Sequence, residues 1–133
     1  MTKLTLILSS LYLAVVGLAL MFFPLHFGRG ALPADAGPEL LALLRLLGGP
    51  FLGIAVLNWL SRNAAPSNLR TVLFANIVGF GAVAANDVQG VASGEARDIA
   101  GPFLIVHLLF TFAFVAATGR ALRASADAIT VDP

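Results

Sequence analysis

Apolar residues run almost unbroken by charge through Thr5 to Phe23, Leu40 to Leu60, Thr71 to Gln89 and Phe103 to Leu122. A bilayer's hydrocarbon core is ~30 Å thick and a helix rises ~1.5 Å per residue, so about 20 mostly apolar residues are needed to cross it. Every one of these runs meets that length. The pattern predicts an all-α fold, an antiparallel four-helix transmembrane bundle filling residues 1–123, with 124–133 a flexible cytoplasmic tail. In such a setting backbone groups are satisfied within each helix, and a polar side chain inside a span needs a partner.

The connections carry the residues that stop and start helices. Pro24 to Pro38 is rich in Gly and Pro and reads as a loop. Pro38 then Glu39 reads as a helix start, because proline in the first turn forfeits no hydrogen bond and an acid there meets the positive end of the helix dipole. Ser61 to Leu69 is short enough to make its flanking helices neighbours, and Gly90 to Pro102 leads into the last span. The apolar run after Lys3 is longer than the h-region of a signal peptide, about 7 to 15 residues, so it is expected to stay as a span rather than be cleaved near Ala34 or Ala36.

Composition narrows the classes. With 59% hydrophobic residues the chain lacks the polar surface a soluble domain needs. A net charge of +1 with scattered basic residues gives no footprint for nucleic acid. With no cysteine and only two histidines, neither a metal site nor any cofactor is implied. Lys3, Arg62, Arg70, Arg120 and Arg123 share one face of the expected bundle, against Arg29 and Arg97 on the other, where Asp35, Glu39, Glu95 and Asp98 also fall. Basic residues are retained in the cytoplasm, so both termini are expected there, with Trp59 anchoring the interface beside Arg62. Small residues are expected where helices touch: Gly49 and Gly53 as a GxxxG with Gly48 beside them, Gly79 and Gly81 on the third span, Gly17 on the first. Pro50 is expected to kink the second span.

The polar residues inside the spans are the candidates for chemistry. Arg45, Asp87 and His107 sit at similar depth on three different spans, toward the non-cytoplasmic side. An Arg45–Asp87 pair is the simplest way to compensate both charges. Asn76 shares a helical face with Gly79, Val83, Asp87 and Gly90, and Asn86 flanks Asp87; His107 shares one with Thr111 and Thr118. Turned inward, these faces would enclose a polar pocket with Tyr12 as its floor and His26 at its mouth. The plainer reading is structural: paired charges fixing helix register, and amides and hydroxyls bonded to neighbouring helices. Asn58 reads as a solvated residue near the cytoplasmic interface, and Phe110, Phe112 and Phe114 as lipid-facing or core.

Leu44 to Gly53, an Arg followed by paired glycines, Pro50 and a further glycine, resembles small four-helix bacterial membrane proteins of the broad DoxX-like kind. That resemblance implies a multi-pass protein of the bacterial inner membrane, and it marks Arg45 as inward-facing; it carries no role for Asp87 or His107. The functional expectation is binding of a small or lipidic ligand by Arg45, Asp87, His107, Asn76, Asn86 and Tyr12, as an accessory or chaperone-like subunit. The expected partners are the bilayer and either a second copy or another membrane protein. The alternatives are an enzyme on a lipid-soluble substrate, with His107 and Asp87 as the acid–base pair because histidine titrates near neutral pH, and an oligomeric proton-coupled transporter.

Overall fold

The computed structural model describes the chain apart from Ala31, Ala34, Glu95, 97–99 and 131–133, and describes only the backbone of Pro66, Ser67 and 124–130. Ala34, beside which cleavage is not expected, the charges of Glu95, Arg97 and Asp98, and the end of the tail therefore lie outside the described residues. The elements are α1 (Thr2–Phe22), α2 (Pro24–Phe27), α3 (Pro38–Ser61), α4 (Pro66–Ser93) and α5 (Ala100–Thr130). No strand occurs among the described residues, only an isolated bridge between Arg29 and Leu32.

Local chemistry sets the boundaries. α1 stops at the residue before Phe23, which precedes Pro24 and takes non-helical backbone as the proline ring favours. That proline then opens α2, a single turn inside the segment expected to be loop. α3 and α4 begin on Pro38 and Pro66. α4 ends at Gly94 in the left-handed conformation (φ 73°), its N–H returned to the carbonyls of Gly90 and Val91. α5 runs on as helix to Thr130, past the end of the expected span at Leu122. Ala121 to Ala128 is alanine-rich, and alanine is the best helix former. With 31 residues, α5 is about 46 Å long at ~1.5 Å per residue, more than a ~30 Å hydrocarbon core requires.

Four helices are long and apolar enough to cross a membrane: Thr2–Phe22, Pro38–Ser61, Asn68–Ser93 and Ala100–Arg123. Their outer faces carry Leu46 (72% exposed), Leu60 (71%) and Phe112 (66%), side chains that an apolar medium would accommodate. The inner faces follow heptad-like seams, residues three and four apart in alternation. On α5 the seam is Phe103, His107, Phe110, Phe114, Ala117 and Ala121; on α3 it is Leu41, Leu44, Gly48, Phe51, Ala55 and Asn58.

α1 packs along α3 and α4 along α5, and these two pairs meet more sparsely through α1–α5 and α3–α4. The core between them is Leu6, Leu13, Ala55, Leu73, Phe80 and Phe114 with their neighbours. The close approach of α1 to α3 is made by Gly17 and Gly48: a Cβ on Gly48 would stand 2.6 Å from the Gly17 carbonyl oxygen. Gly49 and Gly53 were the expected GxxxG contact, yet a Cβ placed on either would meet nothing within 4 Å. A glycine pattern reports that backbones are able to approach, and the seam decides which glycine they use. Arg62 lays its guanidinium 4.1 Å from the centre of the Trp59 ring.

Candidate functional site

Asp87, His107 and Tyr12 come together from α4, α5 and α1. His107 lies on the inward seam of α5 and Asp87 falls seven residues beyond the buried Phe80 on α4, two heptad-spaced positions of one face. His107 Nδ1 is 2.6 Å from Asp87 Oδ2, and Nε2 is 2.7 Å from Tyr12 Oη. The two side chains of the ion pair are only 12% and 17% exposed. A carboxylate accepts only, so Nδ1–H donates to Asp87; in the Nδ1–H tautomer Nε2 is the acceptor and the Tyr12 hydroxyl the donor. The result is a directed chain of hydrogen bonds across three helices, with the ring of His107 fixed from both sides. Thr111 stays within α5, donating to the His107 carbonyl at 2.8 Å, and Thr118 does the same to Phe114 at 2.9 Å.

Aromatic rings enclose this chain. Tyr12 lies 5.4 Å from Phe110 and 6.2 Å from Phe80, between ring centroids, and Phe103 stacks on His107 at 6.2 Å. Two cavities flank it. The larger, about 220 Å³, is bounded by Tyr12, Phe51, Asn76, Gly79, Phe80 and His107. The smaller, about 160 Å³, lies toward α2 and is bounded by Tyr12, Phe27, Phe51, Asp87, Phe103 and His107. Tyr12, Phe51, Val83 and His107 border both and so form the partition between them.

Not every expected site residue reaches this place. Arg45 is exposed and makes no ion pair with Asp87; the histidine takes that carboxylate instead. The reason is angular: Arg45 follows Leu44 directly, so it falls beside the α3 seam, where its long side chain can run along the helix surface. Asn86, one residue from the Asp87 face, is exposed, and so is His26 on α2. Asn76 does border the larger cavity, but its amide is committed elsewhere, exchanging a pair of 2.8 Å hydrogen bonds with Asn58 and donating to the Val72 carbonyl.

That amide pair belongs to a second polar cluster. Asn58 is completely buried, contrary to the expectation of a solvated helix end. It also donates to Ser9 Oγ at 3.0 Å, while Ser10 Oγ donates to the Ala55 carbonyl at 2.7 Å, so α1, α3 and α4 are tied at one level. Every buried side-chain nitrogen and oxygen among the described residues has a partner. The serines carry little signal in a sequence, since they are common in membrane helices, but two asparagines inside separate apolar runs are a legible hint of a pair.

Among the described residues no group of His, Cys, Asp and Glu is arranged to hold a metal ion. The site therefore offers acceptor, hydroxyl and imidazole chemistry beside apolar space. Comparison with protein families, curated proteins and solved structures finds no match to this chain, so these residues and their geometry are what bears on its function.

Proposed function

We propose that this chain is an antiparallel four-helix bundle of the bacterial inner membrane, with both termini cytoplasmic, and that it binds a small apolar or lipidic molecule beside the Tyr12–His107–Asp87 chain as an accessory or chaperone-like subunit. The antiparallel order is supported by contacts that run backwards along α3 as α1 advances: Ser9 with Asn58, Ser10 with Ala55, Gly17 with Gly48. Orientation rests on the excess of Lys and Arg on one face, and the DoxX-like resemblance of Leu44 to Gly53 agrees with that architecture.

The observation that carries the binding reading is the hydrogen-bonded trio at the wall shared by two cavities. Apolar pockets with a few convergent polar groups are the usual form of small-molecule sites. An apolar cavity of ~150 Å³ holds benzene, so the larger one, at about 220 Å³, has room for a bicyclic ring or part of a lipid chain. Acid–base catalysis by His107 and Asp87 is a second reading, favoured by their short contact. Since both ring nitrogens are engaged, His107 would reach a substrate only after Tyr12 leaves Nε2.

Gly79 supplies the test, because it borders the larger cavity and a Cβ there meets nothing within 4 Å. Indole is expected to raise the melting temperature of the purified protein in maltoside micelles and to lose that effect in Gly79→Leu, whose added side chain occupies the space. No stabilisation of the wild-type protein by indole would contradict the pocket.

A further inference from the structure

We propose that the smaller cavity takes an organic cation, an ammonium group carried on an apolar body; this rests on the binding reading above and specifies its ligand. The starting point is the carboxyl group of Asp87. Asp87 lies inside a helix apolar enough to cross a membrane, yet its ion-pair partner among the described residues is a histidine, which is charged only when protonated. Arg45, the fixed positive charge that the sequence places at this depth, is turned outward on α3. A carboxylate in such surroundings is costly without a cation nearby. It also repels an anionic ligand and accepts only donors.

The walls agree with the charge. Tyr12, Phe27, Phe51 and Phe103 border the same cavity as Asp87. Aromatic faces attract a cation through the ring quadrupole, and they do so best for an alkylated ammonium out of water. Phe27 and Phe103 are held edge to face, with centroids 6.1 Å apart, so α2 and α5 present their rings as one corner. The short helix α2 thereby acquires a role, since it carries Phe27 to that corner. At about 160 Å³ the space is close to the ~150 Å³ that holds one benzene ring.

Benzylammonium and its uncharged isostere ethylbenzene differ in charge while sharing a shape. Titrated calorimetrically into the full chain in maltoside micelles, with protein-free micelles as the blank, the cation is expected to bind about tenfold more tightly, equivalent to about 1.4 kcal/mol. Asp87→Asn is expected to abolish the preference and Asp87→Glu to keep it. Indole binding in the larger cavity, which Asp87 does not border, reports that each variant is folded. If Asp87→Asn loses indole binding too, Phe103→Leu takes its place and is expected to reduce the cation preference. Equal affinity for the two isosteres, or a preference that survives in the informative variant, overturns the cation assignment while indole binding leaves the wider reading standing. Failure of all three probes on the wild-type protein overturns both.

Discussion

Replacing Gly48 by valine is expected to force α1 away from α3 and to lower stability by about 3 kcal/mol or more, at the top of the range for overpacking. The cause is that the obstruction is backbone. A Cβ at Gly48 would lie 2.6 Å from the Gly17 carbonyl oxygen and 2.4 Å from Met21 Cγ, and although the methionine can move, the carbonyl moves only with α1 itself. Gly49→Val and Gly53→Val put the same side chain into open space on the same helix, and each should change stability by no more than about 0.5 kcal/mol. Unfolding by titrated dodecyl sulfate in mixed micelles measures all three. Equal losses would mean that the α1–α3 contact is made through another face of α3.

Asn58→Leu is expected to cost about 2 to 4 kcal/mol, from lost hydrogen bonds and from the Asn76 side-chain oxygen left without its donor in the core. Asn58 is fully buried and joins Ser9 on α1 to Asn76 on α4. The penalty is asymmetric. When Asn76→Leu is added, that unpaired oxygen disappears, so the double variant should be no less stable than Asn58→Leu alone, a large departure from additivity. The same unfolding titration decides this; additive losses would show that the two amides act separately.

Length and hydropathy make the four long helices legible, because a bilayer-sized apolar run has few other structural solutions. The depth of Asp87 and His107 is legible too, since a rise of ~1.5 Å per residue converts position into height. Azimuth is not. One residue turns a helix by about 100°, so Arg45, directly after Leu44, and Asn86, directly before Asp87, share the right height and face outward. The histidine gains the carboxylate that the arginine was expected to take, and Tyr12, expected as a floor, becomes the third member of the chain. Asn58 departs from expectation for a related reason: closeness to a helix end says nothing of whether a neighbouring helix covers it. The seams on α3 and α5, with residues alternately three and four apart, hold the azimuthal information, and reading them first puts Gly48 and Asn58 inward and Arg45 to the side.

The account turns on one imidazole being held between a carboxylate and a phenol from two other helices. Nitrogen-15 NMR of the histidine side chains in lipid bilayers tests it directly, because the chain has only two histidines and the exposed His26 serves as the internal reference. His107 is predicted to carry hydrogen on Nδ1, hydrogen-bonded to the Asp87 carboxylate. Tyr12→Phe is predicted to shift Nε2, and Asp87→Asn to shift Nδ1, while His26 stays unchanged in both. A His107 spectrum matching that of His26 and indifferent to both substitutions would contradict the account.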